Sequence, residues 1–496
     1  MKLKALLKNV MCVGAVCALV LSFTGCKNKE AMIKGEELGK VPAEPYEINW
    51  YIQSPSQKDV SLVEEKVNEY LKDKINATLK INILESSQYE KKMGTMIAAG
   101  EAFDIAFTCS WLLNYATYAN DGAFFDLTDY TDTYLKDAIQ LFDEDYLKSA
   151  YIDGRLYALP TLKEIASQKG WVYRKDIAEK YNLNMADYKN FEELEPVLKM
   201  IKEKEPSIQY PIDWTEDRTA FNLNDFYSPV ADVAIFFENG KARDKVENII
   251  ESDIMKKSAA ISRRFYLEGL VNPDVLTSTN ITQRFQEGKT FVYMENLKPG
   301  KAEETYRGKN IPVAQVGITP IYKTDGLGSM NAVSSTSKNP YRAMRFLNLL
   351  YTDPVLSNLI VYGVEGVHYT KIDENRVDVP ENTGYSLANI QWMFGNVFNN
   401  YLAKSEDPEK HKLLKEFNEA AMPTPVRDLT ITIPQSLDVQ KMAVTTVKKQ
   451  YRKQLVLGAV DPEQVIDQYI SELKAAGIDE LIAECQRQYD EWKAKQ

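Results

Sequence analysis

The chain has 496 residues, 44% hydrophobic and 26% charged, with 23 Gly and 20 Pro. That composition excludes collagen, coiled coil and bulk disorder and suits two or three domains of roughly 100–200 residues each. Lys+Arg 60 against Asp+Glu 71 gives a net charge of −11, with no long basic run, which argues against a nucleic-acid binder. The only histidines are His368 and His411, thin material for a zinc enzyme or a Ser–His–Asp hydrolase.

At the N-terminus, Lys2, Lys4 and Lys8 lead into an almost wholly apolar or small stretch over 9–23, followed by Phe23-Thr24-Gly25-Cys26. A basic region, a short apolar core and small residues before a cut describe a secretory signal. The apolar stretch is short for a span of about 20 residues. The cysteine after Thr-Gly resembles a bacterial lipobox, with Phe23 where that motif usually has Leu. The resemblance implies that 1–25 are removed and that Cys26 is diacylated, anchoring the protein on the extracellular face of the cell membrane. Residues 26–45 are polar and read as a tether, the last 19 of them with an r.m.s. reach of roughly 25 Å. Cys109 and Cys485 remain in the body; their spacing neither requires nor forbids a disulfide.

The body opens as alternating strand and helix. Ile48, Trp50 and Ile52 alternate with polar neighbours up to Ser54-Pro55, predicting a strand; Val60, Val63, Val67, Tyr70 and Leu71 recur at helical spacing. Leu79, Ile81 and Ile83 alternate again, 89–99 reads as a helix closed by Gly100, and 104–108 as a short strand. This order predicts an open parallel sheet with crossover helices, whose ligands sit beyond the carboxyl ends of the strands. The loops at 53–57, 85–88 and 109–115 are therefore the first candidates for a site.

Several segments in order resemble the bacterial extracellular solute-binding proteins of ABC transporters. They are Ala98-Ala99-Gly100-Glu101-Ala102-Phe103-Asp104-Ile105, Gly122-Ala123-Phe124-Phe125-Asp126-Leu127-Thr128 and Asp153-Gly154-Arg155-Leu156-Tyr157-Ala158-Leu159-Pro160. Ser337-Lys338-Asn339-Pro340 continued by 343–347, and Tyr362-Gly363-Val364-Glu365-Gly366-Val367-His368-Tyr369, extend the series. The last of these, with the chain's close from Ala476 to Trp492, resembles a lipoprotein subfamily carrying a C-terminal domain of unknown function. The resemblance implies an α/β, two-lobed, periplasmic-binding-protein-like clamp of type II, each lobe a sheet flanked by helices. Lobe one is expected at 46–155 plus 318–355 and lobe two at 156–317 plus 356–496. Hinges are expected near Leu159-Pro160-Thr161, Gly317-Ile318-Thr319-Pro320 and Asp353-Pro354, where proline makes defined extended crossovers. The implied partners are a small polar solute and ABC permease subunits, with membrane contact through the lipid only and no cofactor or metal.

Some patterns are weaker than they look. Gly288-Lys289-Thr290 ends like a P-loop, but Gln283 stands where that loop requires Gly, so it reads as a turn into a strand over 291–294. His368 reads as a structural or pocket-edge residue, and Asp143-Glu144-Asp145 as a solvated face without the Gly and terminal Glu of an EF-hand.

The aromatic residues carry more chemistry. A sugar ring needs flat apolar platforms with carboxylates, amides and Trp or Tyr donors at its edges. The candidate set is Trp111, Asn114 and Tyr115 after the third strand; Trp171 and Tyr173 in the opening strand of lobe two; Trp214 in a loop; Glu295 at a strand end; and Glu365 and Trp392 from the C-terminal part. Trp111 and Trp392 are favoured because each sits among Gly, Asn and Ser; Trp50 and Trp492 read as packing. The function expected is capture of an oligosaccharide for import, without catalysis. The alternative is a lipid-anchored hydrolase of surface glycans using a carboxylate pair in the same cleft.

Overall fold

The computed structural model describes residues 35–496 except 239, 279–280, 307–310 and 428; the signal and Cys26 lie outside the described residues. β1 (Tyr46–Gln53), α1 (Val60–Ile75), β2 (Ala77–Leu84), α2 (Ser86–Ala99) and β3 (Ile105–Thr108) follow the expected strand–helix order. β1 lies parallel to β2 in unbroken register from Tyr46↔Ala77 to Gln53↔Leu84, and parallel to β3 on its other side. The strands Met330–Val333 and Ala158–Pro160 complete a five-stranded sheet, Met330–Val333 running antiparallel to both neighbours. The alternation in β1 buries Ile48, Trp50 and Ile52 completely, and Trp50 donates from Nε1 to Asn331 Oδ1 at 3.1 Å. The middle of the sheet is tied at one end by a buried carboxylate: Asp104, just before β3, accepts from Tyr46 Oη (2.6 Å), Asn49 N (2.8 Å) and Ser337 Oγ (2.5 Å).

The second sheet orders Val313–Gly317, Ala166–Arg174, Thr290–Leu297 and Tyr210–Ile212, with Tyr322–Lys323 added to the start of Ala166–Arg174. Gly170 is required there, since a Cβ would lie 2.1 Å from the Val316 carbonyl oxygen of the neighbouring strand. The helices Asp438–Val456, Pro462–Ala475 and Ile478–Lys493 pack onto this lobe, and Val444, Leu455, Tyr469, Leu481 and Tyr489 belong to its core. A buried carboxylate, Asp232, fastens them by accepting from Arg452 Nη1 at 2.8 Å and from the Tyr469 hydroxyl. Among the described residues no helix is long and apolar enough to cross a membrane.

The lobes divide differently from the sequence expectation. Residues 356–394, assigned above to lobe two, bury Leu356, Ile360, Val361, Tyr362, Tyr385 and Phe394 in the core of the first sheet. Ala158–Pro160 is a strand of that sheet as well, so the first crossing begins after it. Asp353-Pro354 is a helix start inside lobe one, where Asp353 Oδ1 accepts from Val355 N at 2.9 Å. The third crossing instead follows Leu402–Ala403 and ends near Val426, where the second core resumes. Part of the expected tether is docked: the Glu36 carboxylate sits 2.7 Å from Arg342 Nη2 and 3.0 Å from Arg345 Nε, and accepts from Asn339 Nδ2 at 2.8 Å. Cys109 and Cys485 are free thiols, each buried in a different core.

The crossings meet a network of charges, buried at Glu406 and Lys410 and half-buried at Glu164, Lys298 and Glu304. Lys298 Nζ lies 3.3 Å from Glu164 Oε2 and 3.2 Å from Glu304 Oε2, and Lys410 Nζ lies 2.6 Å from Glu406 Oε1 and 3.7 Å from Glu304 Oε2. Burial alone would raise the Glu164 carboxyl, but Lys163 and Lys298 together hold it down at about 2. A carboxyl held below its unfolded value contributes stability above about pH 4.3 that is lost as pH falls toward the folded value. Lys298→Met leaves Glu164 with Lys163 alone and Glu304 with the more distant Lys410, and should cost about 2 kcal/mol at pH 7. The deficit should shrink as pH falls and Glu164 protonates in the variant. Denaturant unfolding at pH 7 and pH 3.5 checks this; a deficit unchanged between the two would show that the network does not set the acid limb.

Candidate functional site

Between the lobes lies a cavity of about 1060 Å³. Lobe one lends Tyr146, Tyr151 and Leu327; lobe two lends Lys169, Arg218, Asn222, Asp225, Glu295 and Asn296. The second crossing closes one side with Thr319, Tyr322 and Asp325, and the segment after the third crossing adds Val426 and Thr430. Most of the charges are held in pairs. Lys169 Nζ is 2.8 Å from Asp225 Oδ1, Arg218 Nη2 is 2.9 Å from Glu295 Oε2, and Lys323 Nζ is 3.1 Å from Asp143 Oδ2. Arg427 pairs with Asp145 across the lobes. Burial lowers the Lys169 ammonium despite Asp225, and burial raises the Asp325 carboxyl, against a donation from Leu327 N and the charge of Lys163. These are fixed donors and acceptors between aromatic walls, an arrangement that orients a polar molecule without needing a charged one.

An aromatic shelf adjoins this cavity. Trp111 is 56% exposed, and its ring centroid lies 6.1 Å from that of Trp392 at 44°. Both rest on the buried Phe107, at 6.2 and 6.0 Å. The shelf is tied to the cavity wall through Leu327 and Gly328: Ser110 N donates to the Leu327 carbonyl (2.7 Å) and Trp111 Nε1 to the Gly328 carbonyl (3.0 Å). The Trp392 carbonyl in turn accepts from Ser329 Oγ at 2.8 Å. The two tryptophans favoured from sequence, far apart in the chain, thus stand side by side at the strand ends, and Glu295 lines the cavity.

The other expected residues do different work. Asn114 caps the short helix Tyr115–Asn120, accepting from Thr117 N at 3.0 Å. Tyr115 is buried, donating to the Ala150 carbonyl (2.7 Å) and accepting from Tyr157 N (3.1 Å). Trp171 lies on the same strand face as Ser167 and Lys169, but farther along, where the helix Phe191–Lys204 covers the sheet; it is fully buried, 5.0 Å from Phe191. Tyr173, two residues beyond, packs half-buried against the same core. Trp214 is also fully buried, stacked on Phe265 at 5.6 Å and 17°, while Asp217 and Arg218 of its loop reach the cavity. Glu365 is exposed, pairs with Lys371 at 3.4 Å and does not line the cavity. Sequence reasoning missed Lys169, Arg218, Asn222, Asp225 and the wall tyrosines. The polar run Ser167-Gln168-Lys169 at the start of a strand that turns apolar at Trp171 is the readable signal.

Comparison with known proteins agrees with this architecture. Residues 54–355 match the family described as bacterial extracellular solute-binding protein, and 434–494 match a domain of unknown function, DUF3502. A carbohydrate ABC transporter substrate-binding protein of Streptococcus pneumoniae is 28% identical over 491 residues, 96% of each chain. Among solved structures, the N-glycan transport solute-binding protein NgtS of S. pneumoniae superposes with a TM-score of 0.80 at 28% identity, over 91% of this chain and 100% of that one. Its complex with Man1GlcNAc gives 0.74 at 27% identity over 90% and 99%, and its complex with Man5GlcNAc 0.70 at 28% over 91% and 100%. With the two-lobed fold, the inter-lobe cavity and a match over more than half of its length, the chain belongs to the bacterial extracellular solute-binding proteins.

Proposed function

We propose that this protein captures an oligosaccharide in the inter-lobe cleft and delivers it to an ABC permease, tethered to the outer face of the membrane through lipid on Cys26. The observation that carries the reading is the Trp111–Trp392 shelf beside a cavity of paired charges and amides. Indole faces take the C–H faces of sugar rings, and Lys169, Arg218, Asn222 and Asn296 supply rim contacts for hydroxyls. The sugar complexes of NgtS support the same class of solute. Binding is favoured over glycan hydrolysis because the chain belongs to a family of solute-binding proteins, and three of the cleft carboxylates, Glu295, Asp225 and Asp145, are each engaged by a cation.

Trp111→Ala should weaken binding of Man5GlcNAc at least tenfold, about 1.4 kcal/mol, and change unfolding free energy by no more than about 0.5 kcal/mol. Trp214→Ala, a core truncation, should cost about 3–5 kcal/mol of stability with or without sugar. Calorimetric titration and chemical denaturation on both variants check the pair. Unaltered affinity in Trp111→Ala would remove the shelf from the site. Replacing Cys26 by Ala should move the protein from the membrane fraction of its host to the soluble one, and full membrane retention would remove the lipid anchor from the account.

A further inference from the structure

We propose that the strand-end rim of lobe one carries a second, aromatic-free sugar subsite at the end of β1, organised by Asp59 and His368. The proposal rests on the oligosaccharide reading above and extends it to the length of the solute. A separate cavity of about 490 Å³ opens between the loop joining β1 to α1 and the segment 381–386. Its walls are polar, chiefly Ser56, Gln57, Asp59, Asn382 and Thr383, with Lys58 and Glu381 offsetting each other in charge. The two loops are knit together: Asp59 N donates to the Gly384 carbonyl at 3.0 Å and Ser386 N to Gln57 Oε1 at 2.9 Å.

Asp59 directly precedes α1, yet its carboxylate caps nothing there. Behind it stands His368, completely buried. His368 Nδ1 accepts from Val364 N at 2.9 Å, so in the neutral ring the hydrogen sits on Nε2. That Nε2 has no hydrogen-bond partner and lies 3.5 Å from Asp59 Oδ2. A fully buried donor left unpaired is the exception in folded proteins, and here it faces the one carboxylate on the cavity wall that has a buried ring behind it. The backbone is shaped around both groups. A Cβ on Gly384 would lie 1.8 Å from Asp59 Oδ2, and one on Gly363, at φ +78°, 2.5 Å from His368 Nδ1.

A carboxylate backed by an imidazole N–H and flanked by amides and hydroxyls accepts from neighbouring hydroxyls of a neutral hexose. With no aromatic platform, it grips the rim of the ring rather than its face. The subsite continues the strand-end rim that holds the shelf: Gln53 Nε2 donates to Met393 Sδ at 3.8 Å, next to Trp392, and Ser56 N to Glu85 Oε1 at 3.1 Å. A short sugar fills the main cavity and shelf; a longer one reaches Asp59. His368 is a positioning residue, acting through the carboxylate it faces.

The test is titration calorimetry of Man5GlcNAc and Man1GlcNAc against the whole mature protein and its variants. Asp59→Asn and the surface change Asn382→Ala should each weaken Man5GlcNAc about tenfold while changing Man1GlcNAc less than twofold, with melting temperatures unaltered. His368→Leu should show the same length-selective loss, and His368→Gln, which keeps an N–H donor, should recover most of it. Equal losses for the two sugars, or none for either, would overturn the subsite while leaving the oligosaccharide reading in place. Wild-type protein that binds neither sugar would overturn that reading and the subsite with it.

Discussion

Everything in this molecule depends on passing one chain three times between two cores that pack separately. Each crossing must leave a covered environment with its polar groups satisfied, and the solution here is a balanced set of buried and half-buried charges. Lys163 and Glu164 of the first crossing, Lys298 and Glu304 of lobe two, and Glu406 and Lys410 of the third crossing, three ammoniums and three carboxylates, neutralise one another within 2.6–3.7 Å. The grip is local. Leu162 is still bound to lobe one through Gly395 and Val397, while Glu164 is already bound to Lys298 of lobe two. One residue, Lys163, therefore separates the two attachments. The second crossing behaves alike: Thr324 N donates to the Ile165 carbonyl and Gly326 N to Ser149 Oγ of lobe one, leaving Asp325 between. Pivots this short confine motion between the lobes to opening and closing of the cleft, the standard hinge geometry.

The cleft inherits its chemistry from those attachments. Because Lys169, Arg218, Glu295 and Asp225 are pinned in pairs, their hydrogen-bonding edges are set before a solute arrives, which lowers the ordering cost of binding. The aromatic shelf is equally fixed, since Phe107 beneath it is buried and the Leu327–Gly328 backbone holds Trp111. The C-terminal helices matter indirectly: they complete the core of lobe two and lock Asp232 through Arg452 and Tyr469, which keeps the cleft's second wall rigid.

Local pattern reported local structure well and long-range packing badly. The period-two alternation of Ile48, Trp50 and Ile52 and the helical spacing of Val63, Val67 and Leu71 correspond to buried positions of β1 and α1. Loop composition around Trp111 and Trp392 pointed to two residues that the fold brings together. The sequence around Trp171 and Trp214 does not reveal that Phe191 and Phe265, from two separate helices, cover their rings. The segment 356–403 carries no local mark of which lobe it joins; its place follows from Ile360 and Tyr362 meeting the first core. Glu36 sits in a polar stretch with nothing local to mark it as docked, because its partners, Arg342 and Arg345, lie about 300 residues along the chain.

The central claim is that an oligosaccharide bridges the two lobes and closes them. Small-angle scattering of the mature protein with and without saturating Man5GlcNAc tests it most directly. The account predicts a smaller radius of gyration in the sugar-bound protein. An unchanged radius, with binding saturated by calorimetry on the same sample, would contradict it.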